Sequence, residues 1–345
     1  TNNALYGEIL LPVWDNGTQN VYVKGGLRYD DWNAFGSDTT YQIGIEFQAM
    51  EDLKLRGTYG TVFRAPTIGD VYGGVIDSFP TFSDPCADNG AGIAAGCAAE
   101  APGDEGQALS WIGGNPDVQP ETGETFTVGL VWTPTFGDHN FTATVDYWDI
   151  SLDDGISSFG VEFILNDCYV NLNQDSCALV FRRPGDYGID HIVDVTENVS
   201  SQGAKGIDTE LSWSYGTGLG QLEASLLWSH LLERTKTANP TAPEVDLSGR
   251  YTDTTAEDGG GYPGDKANFR FQWMLNDLSI SYLAEYISSL DADTFCNCFD
   301  GNTPAMDGTY IQKIDSYLYH DLVASYTFES FGSTTQISGG VTNIT

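Results

Sequence analysis

Residues 41–49 read Tyr-Gln-Ile-Gly-Ile-Glu-Phe-Gln-Ala, an unbroken alternation of apolar residues with polar or small ones. Side chains along a β-strand point alternately to its two faces, so this stretch predicts a strand with one apolar and one polar face. Such a strand separates an apolar environment from a wet one. The same alternation recurs at residues 53–63, 126–132, 141–147 and 207–215.

Extending the pattern outward predicts about twelve strands in the chain. They lie at residues 5–11, 21–31, 41–49, 53–63, 126–132, 141–147, 207–215, 221–230, 267–275, 278–286, 315–328 and 335–342. Short turns at 50–52, 134–138, 216–220, 275–277 and 329–333 alternate with long polar segments at about 64–120, 150–190, 233–265 and 289–312.

Tight turns at one end and long loops at the other are typical of an outer-membrane β-barrel. We therefore predict an all-β fold, an antiparallel transmembrane β-barrel of the outer-membrane type. Its aromatic-rich faces would contact lipid, and its charged faces would line the lumen. The alternative is a soluble β-sandwich, whose strands are usually shorter.

The composition narrows the possible functions. The 345 residues include 49 Asp+Glu against 14 Lys+Arg, a net charge of -35, which argues against nucleic-acid binding. No stretch approaches the roughly 18 consecutive apolar residues of a membrane-spanning helix. The sequence has no GxSxG, HExxH, Walker or complete EF-hand motif, so we predict no catalytic residues and no enzyme.

The six cysteines fall into three local pairs in predicted loops. Local pairing predicts disulfides formed in an oxidising compartment, and the absence of a CxxC motif argues against zinc. The ring that a Cys296–Cys298 disulfide would close is so tight that these two cysteines either stay reduced or pair elsewhere. The pairs are Cys86–Cys97, Cys168–Cys177 and Cys296–Cys298.

One long segment of the chain carries acids and no cations. Between Arg64 and Arg182 there is no Lys or Arg, whereas eighteen acids lie from Asp70 to Asp175. A loop surface this negative would repel anionic ligands and attract cationic ones. The alternative is a general adaptation of a surface protein to a saline habitat.

One acidic cluster has the ligand chemistry of a calcium site. Asp84 and Asp88 offer hard oxygen ligands that suit structural Ca²⁺. The alternative, which the loose spacing favours, is a solvated acidic loop. We predict no other cofactor or metal.

Five short motifs occur in order along the chain. They are residues 53–72, which include Phe-Arg-Ala-Pro at 63–66, Asn-Pro-Asp-Val-Gln-Pro-Glu-Thr at 115–122, Val-Asp-Tyr-Trp-Asp-Ile at 145–150, Gly-Ile-Asp-Thr-Glu at 206–210 and Gly-Gly-Val-Thr-Asn-Ile at 339–344. In the same order they resemble motifs of TonB-dependent outer-membrane receptors. The family's patterns are the "lRxsyxxxFRAPxxxeLy" strand, the "NPxLxPE" return, the "xxvDyyxI" strand, "GxDxe" and the penultimate strand "GvxNlfD".

The resemblance implies that residues 1–345 are the C-terminal part of a larger, plugged barrel of about 22 strands, whose plug and last strand are missing here. It implies active uptake of a scarce nutrient, such as siderophore-iron, cobalamin or an oligosaccharide, across the bacterial outer membrane. The implied partners are outer-membrane lipid and lipopolysaccharide, the small nutrient, and the TonB complex through the missing N-terminal region. The long loops would face outside.

Two other functional classes remain open. One is a passive, porin-like or structural outer-membrane barrel, whose lumen would be open to water. The other is a secreted soluble β-protein such as a lectin or glycosidase, which would need no detergent.

Two sets of residues are candidates for the site. Charged residues of the polar faces would contact the plug or lumen, with Arg64 at the base of the first long loop. Aromatic residues in the loops are candidates for stacking on a ligand, with Trp111 the first choice, although such rings also pack loops together. The lumen set is Arg64, Lys54, Arg56, Glu46, Asp208 and Arg270, and the ligand set is Trp111, Tyr72, Phe82, Tyr169, Tyr187 and Tyr262.

Overall fold

The computed structural model describes residues 2–33, 36–87, 92–101, 105–253, 258–259, 261–291, 313–330 and 332–344. Within these ranges the chain forms mainly β-strands and a few short helices. In chain order they are β1 (Asn2–Asp15), β2 (Asn20–Trp32), β3 (Gly36–Met50), β4 (Leu53–Arg64), α1 (Ile68–Tyr72), β5 (Ile76–Ser78), β6 (Thr81–Ser83), β7 (Glu105–Gln107), β8 (Ser110–Ile112), β9 (Glu121–Trp132), β10 (Thr135–Phe136), β11 (His139–Ser157), α2 (Val161–Tyr169), α3 (Gln174–Cys177), β12 (Val180–Arg182), β13 (Ile189–Val193), β14 (Glu197–Thr217), β15 (Gly220–Thr237), β16 (Val245–Asp246), β17 (Thr252–Asp253), β18 (Asp258–Gly259), β19 (Asp265–Leu275), β20 (Leu278–Ile287), β21 (Leu290–Asp291), β22 (Lys313–Ile314), β23 (Tyr317–Ser330) and β24 (Ser333–Val341).

One large antiparallel sheet dominates the structure. Its strand order is β1-β2-β3-β4-β9-β11-β14-β15-β19-β20-β23-β24, and β10 and β16 pair at its margin. Each strand of this order overlaps one of the predicted strands, so the predicted antiparallel all-β fold is confirmed. Among the described residues, β1 and β24 are the two edges of the sheet.

The three longest strands extend well beyond their predicted ranges. β11, β14 and β15 contain 19, 21 and 18 residues, whereas a tilted strand crosses a membrane in about 9–11. The predicted loop at 150–190 therefore begins too early, because β11 continues to Ser157. Alternation fails after residue 147, and the continuation is held by main-chain pairing with β14 through two bulges.

The two faces of the sheet differ as the alternation predicts. On the apolar face, Ile43 and Ile45 of β3 are 54% and 51% exposed, and Phe126 and Val128, in register with them two strands away on β9, are exposed as well. An exposed apolar surface of this extent is exceptional for a soluble protein and is expected of a lipid-facing one. Among the described residues, no helix has the length and apolar character needed to cross a membrane.

The buried core lies in the long loops rather than in the sheet. Ile164, Leu165 and Ile192, which are in α2 and β13, are fully buried. The connections β4–β9 (residues 65–120) and β11–β14 (residues 158–196) fold together, and we call their described parts the loop module. A small sheet of order β12-β13-β8-β5 joins the two connections.

Candidate ligand-binding face and loop module

A network of charges crosses the polar face of the large sheet. Glu46 forms ion pairs with Lys24 and, at 3.8 Å, with Lys54. Arg56 donates two hydrogen bonds to Asp146, of 2.9 and 2.6 Å. These pairs connect four strands, β2, β3, β4 and β11, through side chains on a single face.

A glycine makes room for the one of these contacts that crosses an intervening strand. Arg56 lies on β4 and Asp146 on β11, with Gly129 of β9 between them. A Cβ atom at position 129 would lie 2.0 Å from the Asp146 Oδ1 atom. The Arg56–Asp146 pair therefore requires glycine on the intervening strand.

The remaining predicted lumen residues lie on the same face but at different heights. Asp208 pairs in register with Asp146 and accepts a 2.6 Å hydrogen bond from Ser229. It borders, with Glu46 and Arg56, a depression of about 480 Å³. Arg270 lies further along the face and donates to Gln272 at 3.1 Å.

Arg64 ends β4 at the base of the first long loop. Arg64 forms a two-point ion pair with Glu121, which joins the end of β4 to the start of β9. Glu121 also accepts a 2.8 Å hydrogen bond from the amide of Ile156 on β11, and Asp70 lies 3.7 Å from the Arg64 guanidinium. The arginine of the 63–66 motif and the glutamate of the 115–122 motif thus form one clamp across three strands.

A second set of bonds ties the two connections together at the same level. The Asn115 side chain donates to Glu197 at 3.0 Å. The Gln119 backbone amide donates to the Asn198 side-chain oxygen at 2.8 Å, and the Asn198 side-chain nitrogen donates to the Gln119 carbonyl at 2.9 Å. The start of β14 is thereby fixed to the end of the first connection.

Two disulfides and an apolar cluster hold the upper part of the module. The predicted bonds Cys86–Cys97 and Cys168–Cys177 are both confirmed. The two disulfide-bearing segments touch, since the Gly96 amide donates to the Tyr169 carbonyl at 3.1 Å. Cys296 and Cys298 lie outside the described residues. The apolar cluster contains Phe82, Ala108, Val161, Ile164, Leu165, Ile189 and Ile192.

A buried ion pair links the two connections. Both terminal nitrogens of Arg182 donate to Asp84 at 2.7 Å, and its Nε donates to the Tyr169 hydroxyl at 2.8 Å. The guanidinium also lies 4.7 Å from the centre of the Tyr169 ring. Burial acts to lower the pKa of Arg182, but the hydrogen bonds to Asp84 and Tyr169 outweigh it, so the pKa is raised.

Asp84, one of the two predicted calcium ligands, belongs to this ion pair. Both carboxylate oxygens of Asp84 are bonded to Arg182, and Oδ1 also accepts from the Cys86 amide at 2.9 Å. Asp88 lies outside the described residues. Across the described parts of the chain, no group of three or more His, Cys, Asp or Glu is arranged to hold a metal ion.

A second buried carboxylate stabilises the turn between α2 and α3. Asp167 accepts hydrogen bonds from Ser176 at 2.5 Å, Asn173 at 2.8 Å and Asn171 at 3.1 Å. Burial acts to raise the pKa of Asp167, but these three donors outweigh it and hold the pKa below its ordinary value. Asp167 is therefore a structural carboxylate of the module.

A row of three stacked rings covers the outer face of the small sheet. The centroid of the His191 ring lies 3.9 Å from that of Trp111 and 4.3 Å from that of Phe181. Asp77 pairs in register with Trp111, and Asp190 lies 2.9 Å from the His191 Nδ1 atom. We call Trp111, His191 and Phe181 the aromatic row.

The sequence identified only one member of this row. His191 and Phe181 lie on strands of five and three residues, which are too short for alternation to be recognised. Parallel pairing of β13 with β8, which no sequence pattern indicates, places His191 beside Trp111.

The other predicted ligand aromatics lie apart from the row. Tyr72 and Tyr187 are exposed, and Tyr262 lies with its ring centre 5.3 Å from the Arg234 guanidinium. Phe82 is buried in the apolar cluster, and Tyr169 is engaged by Arg182 as described. Phe82 and Tyr169 thus pack the loops together in this structure, which is the alternative to stacking on a ligand.

The outer surface of the loop module is strongly acidic. Its exposed acids are Asp77, Glu100, Asp117, Glu162, Asp175, Asp186 and Asp190. Among the module's described residues the cations are Arg182 and Arg183, and both are in ion pairs, with Asp84 and Asp186. Arg183 therefore neutralises one of the exposed acids, Asp186, and most of the negative surface of the described module has no paired arginine.

Comparisons with known proteins agree with this architecture. Residues 1–344 match the family described as TonB dependent receptor-like, beta-barrel. The vitamin B12 transporter BtuB of Photobacterium profundum is 35% identical over 49 residues, 14% of this chain and 8% of that protein. BtuB of Vibrio cholerae is 32% identical over 54 residues, 16% of this chain and 9% of that protein.

Solved structures share the fold at low identity. The siderophore receptor PirA from Acinetobacter baumannii superposes with a TM-score of 0.61 at 16% identity, covering 99% of this chain and 41% of that chain. The ferric enterobactin receptor PfeA from Pseudomonas aeruginosa gives a TM-score of 0.62 at 14% identity, covering 99% and 39%. The chain thus spans about two fifths of the length of these structures.

Proposed function

Because this chain belongs to the TonB-dependent receptor family by its match over residues 1–344, we propose that it forms the C-terminal part of a receptor barrel for active nutrient uptake across the bacterial outer membrane. The two-faced sheet supports this proposal. Its apolar face suits lipid and lipopolysaccharide, and its charged polar face suits a lumen filled by a plug. The loops would face outside, and TonB would act through an N-terminal region.

We further propose that the ligand is neutral or cationic. The observation that carries this step is the aromatic row on a surface whose exposed charges are mainly acidic. Stacked rings bind planar or apolar ligand groups, and Asp77 and Asp190 beside them favour positive charge. The similar proteins include vitamin B12 transporters and a ferric enterobactin receptor, which supports nutrient uptake. Their ligands differ, so our proposal for the ligand class rests on this surface.

Binding of probes that differ in charge tests the ligand class. The full-length protein that carries this chain would be titrated with cobalamin, a ferric hydroxamate and a ferric catecholate, with tryptophan fluorescence as the readout. The neutral and cationic probes should bind more tightly than the anionic catecholate, and the difference should grow at low salt because screening weakens. Equal affinity for all three at low salt would refute the proposal.

A matched pair of substitutions tests the aromatic row. Phe181 in the row and Phe79 outside it are 44% and 55% exposed. Phe181→Ala should weaken binding of the preferred probe by about fivefold, the loss of roughly 1 kcal/mol of ring contact, whereas Phe79→Ala should leave it unchanged. Similar losses in both variants would remove the row from the site.

Energy dependence separates this proposal from a passive barrel. Uptake of the preferred probe by cells that express the full-length protein should stop when a protonophore abolishes the proton-motive force. Uptake that persists and rises linearly with probe concentration would identify a porin-like pore instead.

A further inference from the structure

The apolar face of the large sheet contains a groove that ligand uptake does not explain. It runs across β9, β11, β14, β15 and β19 with a volume of about 530 Å³. Ala143 and Ala224 line its floor, because each is paired in register with larger side chains on the neighbouring strands. The walls include Trp132, Phe141, Leu211, Trp213, Leu226 and Phe269.

The rim of the groove carries carboxylates and lacks cations. The Trp132 indole, which lines the groove, donates a 3.0 Å hydrogen bond to Asp52 in the β3–β4 turn. Phe136, also in the lining, precedes Asp138 in the turn before β11. The turns at 51–52, 133–138, 218–219 and 276–277 contain four acids and no Lys or Arg.

The rim also contains a hydrogen-bond donor, the imidazole of His139. His139 accepts a 3.1 Å hydrogen bond at Nδ1 from the indole of Trp213, and its ring stacks on Tyr215 with centroids 3.9 Å apart. A neutral histidine that accepts at Nδ1 carries its proton on Nε2. The rim therefore offers both carboxylates and an imidazole N–H.

We propose that this groove binds one acyl chain of a phospholipid whose head group carries an ammonium, as in phosphatidylethanolamine. The exposed apolar face that surrounds the groove makes lipid the occupant. The ammonium would lie against Asp52 and Asp138, and His139 would donate to the phosphate. An anionic head group such as phosphatidylglycerol would meet the same carboxylates without a balancing cation. The inference rests on the proposed membrane location and is independent of the transported ligand.

Native mass spectrometry tests this binding. The full-length protein would be purified in detergent, supplied with equal amounts of phosphatidylethanolamine and phosphatidylglycerol, and scored for the lipid it retains. Phosphatidylethanolamine should be retained preferentially. Ala143→Phe and Ala224→Phe, which fill the floor, should each lower its retention by about tenfold, the effect of removing contact from some two methylenes.

A control on the same face separates the groove from general contact with lipid. Ala324 is exposed on the apolar face, where it pairs with Ile280, and it lies outside the groove. Ala324→Phe should retain the lipid as the unsubstituted protein does. Heat-modifiable migration of each variant reports whether its barrel has folded, and Ala224→Leu replaces a groove-filling phenylalanine variant that does not fold.

Two further outcomes decide the head group. Asp52→Asn combined with Asp138→Asn should reduce the preference for phosphatidylethanolamine over phosphatidylglycerol. Equal retention of the two lipids by the unsubstituted protein would overturn the proposal. Unchanged retention in the folded groove-filling variants, or equal loss in Ala324→Phe, would overturn it as well.

Discussion

Removal of Arg182 should open the loop module without unfolding the large sheet. The Arg182 and Asp84 side chains are 13% and 2% exposed, and their ion pair is doubly hydrogen-bonded. Arg182→Ala leaves the Asp84 carboxylate buried beside the Cys86–Cys97 disulfide without its cation. The substitution also removes the bond to the Tyr169 hydroxyl and the contact with its ring.

The size of the effect follows from the burial of both partners. Loss of one partner of a buried pair costs about 3–5 kcal/mol, because the other charge remains unpaired in a poorly solvated site. Each 1.4 kcal/mol changes an equilibrium about tenfold. The open state of the loop module should therefore become roughly a hundred to several thousand times more populated.

Hydrogen exchange of the full-length protein measures this opening. The amides of Ile192 and Val193 report on the module, since they donate to Leu109 and Leu179 at 3.0 and 2.9 Å. Their exchange should accelerate by the factor above, whereas amides in the large sheet should not change.

The neighbouring arginine provides the control. Arg183 pairs with Asp186 at 3.1 Å, but the two side chains are 44% and 55% exposed. Exposed pairs contribute about 0–1 kcal/mol, and Arg183 also donates to the Ile189 carbonyl, so Arg183→Ala should accelerate exchange by about tenfold or less. Equal acceleration in the two variants would refute the argument that burial of the Arg182 pair holds the module closed.

Three further perturbations test the same architecture. Because the pKa of Asp167 is lowered in the folded state, its stabilising effect is complete above the ordinary carboxyl pKa of 3.8 and is lost as pH falls through the folded-state pKa. The module should therefore become more sensitive to protease on acidification below about pH 4. The increase should be less steep in Asp167→Asn. Ile164→Ala in the fully buried cluster should destabilise the module by about 2–5 kcal/mol in hydrogen exchange, whereas Ile68→Ala, at an 83% exposed site, should have almost no effect. Glu121→Gln keeps the shape of the Arg64–Glu121 clamp but removes the carboxylate charge, so hydrogen exchange at the end of β4 should accelerate. Glu124→Gln, at an exposed site on the same strand as Glu121, should leave that exchange unchanged. Equal effects of the two substitutions would exclude the clamp.

The strands were predictable because their pattern is local. Alternation with a period of two depends only on neighbouring residues, and it identified the twelve strands of the main order of the large sheet, including 41–49 within β3. The polar face was predictable for the same reason, since Glu46, Arg56 and Asp208 alternate with apolar neighbours. The disulfides Cys86–Cys97 and Cys168–Cys177 were predictable because their partners are close in sequence.

The site depends instead on contacts between distant residues. Arg182 is bonded to Asp84, 98 residues earlier, and the aromatic row needs the parallel pairing of β13 with β8. No periodicity encodes such pairs, so the sequence indicated loops where the chain forms α2, α3 and a small sheet. Phe82 illustrates the consequence: its type suits ligand stacking, and only the cluster around Ile164 decides that it packs the loops.

Sequence thus established the two-faced sheet, the positions of its turns and long connections, and the excess of acid. Tertiary structure decided which of those acids remain exposed, because pairing with Arg64 or Arg182 removes Glu121 and Asp84 from the surface. It also decided where small residues leave space, as at Ala143. Local pattern determines which face a side chain takes, whereas packing across strands and loops determines what that side chain contacts.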